Sequence, residues 1–146
     1  MIELYLSKNR NETSPSFGKF YPRVSYKQTL DIHDMAKHMA EHNTPFSKGT
    51  IQGILTDMVS CIRELTLDGN TVKIENLAIF KATVQGNGVP SLDKARAAIG
   101  GSVKSMRLCA QATGAYTKAE LNKDATLGWT KAAQDQIDAA KEEPEP

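Results

Sequence analysis

The spacing of apolar positions predicts two consecutive helices in the first half of the chain. The first covers residues 31–42, with Asp31 as its N-cap. Pro45 lacks a backbone donor and interrupts the pattern, and Ser47 caps a longer helix that ends at Gly69. The apolar positions of the first helix are Ile32, Met35, Ala36 and Met39. Those of the second are Ile51, Ile54, Leu55, Met58, Val59, Ile62 and Leu65.

From Thr71 onward the apolar period changes from helical spacing to two, which is typical of strands with one solvated face. Val72 and Ile74 alternate with polar residues, Asn76-Leu77 predicts a bend, and the alternation resumes from Ala78 to Val84. The segment SLDKARAA predicts a short helix capped by Ser91. A third strand follows in VKSMRLCA, with Met106, Leu108 and Ala110 on one face.

The two ends of the chain carry further elements. Residues 2–6 alternate and predict a strand. Pro22 indicates that the aromatic segment that follows lies at a sheet edge or ends a strand. A capping-box pattern predicts a helix start at Thr117, and the last five residues, EEPEP, are expected to be disordered. Helical spacing recurs at Trp129, Ala132, Ala133, Gln136, Ile137 and Ala140. Helices and strands in blocks indicate an α+β domain.

Length and composition set limits on the class of protein. The 146 residues suit one domain, and 40% hydrophobic with 24% charged residues is an ordinary globular mixture. No apolar run approaches the roughly 20 residues of a membrane helix, and the N-terminus does not resemble a signal peptide. Cys61 and Cys109 have no metal-type spacing, so we expect buried, reduced thiols in a cytoplasmic protein.

The sequence contains no recognisable catalytic or cofactor motif. A nucleophile elbow, a phosphate-binding glycine loop and a metalloprotease motif are all missing from it. We therefore expect no enzyme, no catalytic residue, no cofactor and no small-molecule substrate. Asp34, His38 and His42 are spaced four residues apart, as metal ligands on one helix face would be. The apolar residues of that helix lie on another face, so these three side chains are expected to face solvent. The sequence favours a solvated, inert surface here, and no metal site.

The order of the elements and three short motifs resemble the bacterial histone-like HU and integration-host-factor family. The motifs are Gly69-Asn70-Thr71-Val72 at the start of the first strand, Asn76-Leu77-Ala78 at the bend, and Phe80-Lys81 in the second strand. The N-terminal extension is similar to the variant HU-like domains of Bacteroidetes. The resemblance covers residues 1–124 and implies a helical hairpin, an antiparallel three-stranded sheet and a C-terminal helix, with an added N-terminal strand. It leaves residues 125–146 as a helical, acidic tail.

The resemblance implies a nucleoid protein that binds double-stranded DNA through phosphates, with little sequence preference. The solvent-facing side of the sheet would form a saddle on the DNA, extended by a short arm at residues 85–102. The residues implied in DNA binding are Lys73, Lys81, Lys94, Arg96, Lys104 and Arg107. The arm carries few basic residues, and Pro90 has no basic flank. An HU-derived interaction or structural module that has lost DNA binding therefore remains the alternative.

Charge distribution and helix patterning add two expectations about partners. The net charge is +1, but residues 1–30 and 85–117 each carry +3, which gives a weak nucleic-acid signal. The second helix has apolar residues around more of its circumference than one core face needs, which predicts a homodimer. The N-terminal segment with Phe17, Phe20 and Tyr21 could instead cover that surface within one chain.

Overall fold

The structure, a computed structural model, describes residues 1–142 as two compact units. One unit consists of Met1–Thr29 together with the chain from Asn122 onward, and the other is Leu30–Leu121. The predicted disorder of the last five residues falls mostly on 143–146, which lie outside the described residues. The mixed class of helices and small sheets predicted from the sequence is confirmed.

The first unit is built on a three-stranded sheet. Its strands are β1 (Ile2–Lys8), β2 (Phe20–Val24) and β6 (Leu127–Trp129), in the order β2-β1-β6. The pairing of β1 with β2 is antiparallel, and that of β1 with β6 is parallel. Helix α4 (Lys131–Glu142) follows β6. The predicted N-terminal strand and the edge position of Pro22 are thus confirmed.

The prediction that the last helix includes Trp129 is wrong. Trp129 lies in β6 opposite Leu4, and the helix begins only at Lys131. This pairing also joins residues on both sides of the division that the sequence suggests at residue 124. The backbone N–H of Ile2 donates to the carbonyl of Thr126 at 2.8 Å, and that of Thr130 donates to the carbonyl of Leu4 at 2.9 Å.

The second unit opens with the two predicted helices, α1 (Ile32–Ala40) and α2 (Lys48–Leu67). Asp31 caps α1 in a reciprocal capping box with Asp34. The backbone N–H of Asp34 lowers the pKa of Asp31, so this cap is present at neutral pH and weakens as the carboxylate is protonated in acid. Ser47 caps α2 by accepting from the backbone N–H of Thr50 at 3.2 Å.

An antiparallel sheet follows the helices in the order β3-β4-β5. Its strands are β3 (Val72–Ile74), β4 (Ala78–Gly86) and β5 (Val103–Ala112). The bend between β3 and β4 places Asn76 at a φ of 58°, a left-handed conformation that asparagine tolerates better than most residues. Helix α3 (Lys118–Asp124) begins after Thr117, as the capping pattern predicts.

Gly114 packs closely against Asn76 in this bend. Its φ is +53°, and a Cβ at this position would lie 3.0 Å from the Cα of Asn76 and closer still to the Asn76 side-chain oxygen. We expect Gly114→Ala to lower the free energy of unfolding by about 2 kcal/mol, through left-handed strain together with this contact. Urea denaturation would measure the loss. The control is Gly88→Ala, where a Cβ has nothing within 4 Å, and an equal loss in both variants would contradict the prediction.

The predicted helix at SLDKARAA does not form. Only a single 3-10 turn, Leu92–Lys94, is present, and Ser91 makes no side-chain cap. The segment instead folds as a loop closed at its base, because the backbone N–H of Asn87 donates to the carbonyl of Ser102 at 2.8 Å. The backbone N–H of Arg96 also donates to the Ser102 hydroxyl at 2.8 Å.

The buried core is small for a chain of this length. Within residues 1–142 the buried hydrophobic residues are Ala36, Ile51, Ala78 and Ala133, and no large side chain is fully buried. The prediction of buried thiols was wrong for Cys61, which is exposed, and Cys109 is only half-buried. Cys61 lies on α2, which buries only Ile51 and Thr66. None of the described helices combines the length and apolarity that crossing a membrane requires.

Candidate nucleic-acid interface

The register of the β3-β4-β5 sheet puts Lys73, Lys81 and Arg107 on one face, which they share with Ile79 and Cys109, and most of the apolar side chains on the other. Successive side chains of a strand point to opposite sides, so residues paired across strands share a face. Lys73 pairs with Ile79, Lys81 with Cys109, and Thr83 with Arg107. Phe80 and Val72 form a pair on the other face. The alternation predicted for Lys73 and Lys81 is therefore present in the register.

Three cations lie on a diagonal across this sheet, one on each strand. Lys81 lies two residues beyond Ile79, the partner of Lys73, and Arg107 lies opposite Thr83, two residues beyond Lys81. Such diagonal neighbours stand about 7–8 Å apart. We call Lys73, Lys81 and Arg107 the cationic row. Three positive charges at this spacing can each meet a different oxygen of a polyanionic backbone.

Two members of the row interact with neighbouring side chains, Lys73 with Glu75 and Arg107 with Gln85. The Lys73 ammonium lies 3.8 Å from a carboxylate oxygen of Glu75, and both side chains are more than half exposed. An exposed pair of this kind is weak, so a phosphate can replace the carboxylate. Arg107 donates from Nη2 to Oε1 of Gln85 at 2.6 Å, which directs the guanidinium along β4. Gln85 and Glu75 were missed from the sequence, although strand alternation puts Gln85 on the face of Lys81.

Lys81 occupies the centre of the row and is the half-buried member. Its ammonium has neither a hydrogen-bond partner nor an ion-pair partner within the described range 1–142. An ammonium group without a carboxylate partner is available to a phosphate without breaking an internal contact. Lys81 is therefore the position at which the loss of one charge changes the row most.

Lys104 does not share the regular register of the row. Gln85 pairs with Ser105 and Gly86 with Val103, so Lys104 lies opposite no residue of β4, at a break in the ladder. A bulge disrupts the alternation of side chains. The face predicted for Lys104 from simple alternation therefore does not follow from the pairing.

Lys94 and Arg96 lie in the loop of residues 87–102 that joins β4 to β5. Lys94 ends the 3-10 turn, and Arg96 follows it by two residues. The structure places these two cations together in one loop and outside the sheet that carries the row. Leu92, in the same turn, is 91% exposed.

The opposite face of the sheet forms an open apolar groove with α2. The groove encloses about 560 Å³. Arg63 of α2 and Arg107 of β5 border this groove, but most of its lining is apolar: Met58, Val59, Ile62, Leu67, Phe80, Met106 and Leu108. Several are strongly exposed for apolar side chains: Val59 is 51%, Leu67 58% and Leu108 66% exposed. We call this surface the apolar groove.

The predicted stripe of Asp34, His38 and His42 does not form a three-ligand site. The carboxylate of Asp34 accepts from the backbone N–H of Asp31 at 3.2 Å, as part of the cap. His38 and His42 come together, with their Nε2 atoms 3.0 Å apart. No group of three or more metal-ligating side chains occurs in the part of the chain that the structure describes.

Comparison with known proteins gives one family and a similar solved structure. The model of a family described as "HU domain fused to wHTH, Ig, or Glycine-rich motif" matches residues 2–121. A crystal structure of a proposed bacterial DNA-binding protein from Bacteroides vulgatus superposes with a TM-score of 0.63 at 16% identity. The match covers 88% of this chain and 47% of that one, so the chain spans about half the length of that protein. No curated protein matches the chain.

Proposed function

The chain belongs to the family of HU domains fused to wHTH, Ig or glycine-rich motifs, and we propose that it is a non-enzymatic, nucleoid-associated protein that binds double-stranded DNA. The sheet of β3, β4 and β5 acts as the saddle, and the loop of residues 87–102 acts as a short arm. Binding depends mainly on phosphates, so it varies little with base sequence. The HU-like arrangement of helical hairpin, saddle and arm is part of this proposal.

The cationic row is the observation that supports DNA binding best. By register its three cations share one face of the sheet, and among residues 1–142 the central one has no acidic partner. Cations that meet phosphates position a protein on the duplex and carry no information about the bases. Release of condensed counterions then supplies much of the affinity.

The arm adds charge to the same interaction. Lys94 and Arg96 extend it beyond the sheet, and the base of their loop is closed by the contacts between Asn87, Arg96 and Ser102. Two cations per arm are few, and Pro90 lies outside any basic cluster. We therefore infer weaker bending than a long, basic arm would produce.

The apolar groove supports a homodimer. Within the described residues 1–142, the four buried apolar residues make a small core. A groove of about 560 Å³ beside exposed leucines leaves much apolar surface in water. A second copy of α2 and its sheet would bury both grooves in one isologous contact. A dimer also doubles the number of cationic rows available to one DNA duplex.

A salt titration tests the proposed function. We expect the full chain to bind unrelated duplexes with similar affinity, on the order of micromolar at physiological salt, and the logarithm of affinity to fall linearly with the logarithm of salt concentration. Fluorescence anisotropy with two duplexes of different base composition would measure both. No binding at low salt, where phosphate contacts are strongest, would overturn the proposal. It would favour an HU-derived interaction module that has lost DNA binding.

A further inference from the structure

The end of α1 carries a pair of histidines that nothing in the proposed DNA interface uses. His38 lies in the last turn of the helix and His42 follows one turn later. Their rings are 4.6 Å apart between centroids and meet nearly at right angles, at 80°. Both side chains are exposed, so an ion could reach them from solvent without opening the fold.

The ring nitrogens converge at a distance suited to one metal ion. Nε2 of His38 and Nε2 of His42 are 3.0 Å apart and form a hydrogen bond between the rings, which a metal ion bound to both nitrogens would replace. With metal–nitrogen bonds of about 2.0–2.1 Å, two nitrogens at a right angle stand about 2.8–3.0 Å apart, and two at a tetrahedral angle about 3.3–3.4 Å apart. The observed spacing therefore fits adjacent positions of a square-planar or tetragonal ion better than a tetrahedral one.

We propose that His38 and His42 form an exchangeable two-nitrogen site for Cu²⁺, with Ni²⁺ bound more weakly. Tetragonal coordination by nitrogen is typical of these two ions, and affinity for divalent first-row metals is greatest at Cu²⁺. Two imidazoles on consecutive turns act as a chelate, because binding by the first brings the second to a high effective concentration. Water completes the coordination from the open side.

The surroundings explain why the site takes an exchangeable ion and not a structural zinc. A closed zinc site needs four protein ligands. Asp34, one turn before His38, is engaged in the helix cap with Asp31. We therefore expect Zn²⁺ to be lost on dialysis, in agreement with the sequence interpretation that the three residues form no zinc site. The two imidazoles remain available to Cu²⁺.

The third histidine provides a matched control. His33 lies at the start of the same helix, but its two ring nitrogens face other partners. Nε2 lies 2.7 Å from the ammonium of Lys48, and Nδ1 lies 3.2 Å from Oε1 of Gln52. A cationic neighbour opposes a second cation, so His33 should contribute nothing to the site.

The test is a titration of the metal-free full chain with Cu²⁺ alone at about pH 7.5, since metal binding to histidine competes with protons and is favoured above acidic pH. We expect one Cu²⁺ per chain by calorimetry and nitrogen couplings from two imidazoles in the electron paramagnetic resonance spectrum. His38→Asn and His42→Asn should each weaken binding roughly 100-fold, because each converts the chelate to a single ligand. His33→Asn should bind as the wild type does.

Three results would overturn the proposal. They are unchanged Cu²⁺ affinity in the His38→Asn and His42→Asn variants, an equal loss in His33→Asn, and retention of stoichiometric Zn²⁺ after dialysis without chelator. Circular dichroism of each variant shows whether α1 remains folded. DNA affinity is measured in the same variants and is expected to be unchanged, so the copper site and the DNA interface are tested separately.

Discussion

Leu108→Glu is expected to convert the protein from a dimer to a monomer. Leu108 lies on β5 in the apolar groove and is 66% exposed in the single chain. A carboxylate at this position remains hydrated in the monomer, so the chain should still fold, but a dimer would have to bury two such charges against apolar surface. Light scattering at tens of micromolar should give twice the chain mass for the wild type and the chain mass for the variant.

The control for this prediction is Leu92→Glu. Leu92 is 91% exposed and lies in the loop of residues 87–102, outside the groove. The substitution adds the same charge, so it should leave the dimer intact. A monomeric wild type, or equal dissociation of both variants, would contradict the assignment of the groove as the dimer surface.

The helices and the central sheet could be predicted because their signals are local. Asp31 and Ser47 both cap the helices that they precede, and Gly69 takes the left-handed conformation, with φ of 85°, that ends α2. Period-two alternation around Phe80 and Lys81 identified β4 and the facing of its side chains. In each case the residues that determine the element are within a few positions of it.

The two errors of secondary structure have non-local causes. Strand β6 has only three residues, and its partner β1 lies at the other end of the chain, so no local pattern around Trp129 distinguishes it from the start of α4. The segment SLDKARAA has helix-forming residues but is short, and short helices are marginal without tertiary packing. Closure of its loop by Asn87, Arg96 and Ser102 satisfies the backbone in another way.

In the candidate site, too, local features could be predicted and non-local ones could not. The face of the sheet on which Lys73 and Lys81 lie follows from strand alternation alone. The position of Arg107 beside them depends on the register of β4 with β5, which the sequence does not show. The position of Lys104 depends on the bulge, where β5 has one more residue than β4. The convergence of His38 and His42 needed side-chain positions, because spacing alone also describes an ordinary solvated helix face.

Replacing Lys81 and Arg107 by alanine should weaken DNA binding by about the same factor for unrelated duplexes. Each side chain is expected to neutralise one phosphate, and a hydrogen bond to a charged group contributes enough that each loss costs about tenfold in affinity at low salt. Glu75→Gln should act in the opposite direction, because it releases Lys73 from an exposed ion pair. The gain should be about two- to fivefold.

The salt dependence separates a specific cationic row from a general effect of net charge. Each lost phosphate contact should reduce the slope of log affinity against log salt by about 0.9, so a substitution present twice in a dimer should reduce it by about 1.8. Lys141→Ala removes one positive charge from α4, where the lysine is paired with Asp138 at 3.3 Å. It should leave the slope unchanged. If Lys81→Ala and Lys141→Ala weaken binding equally, the row is not the DNA site. If Lys81→Ala reduces the slope by only about 0.9 while light scattering shows the protein to be a dimer, only one copy of the row contacts the duplex.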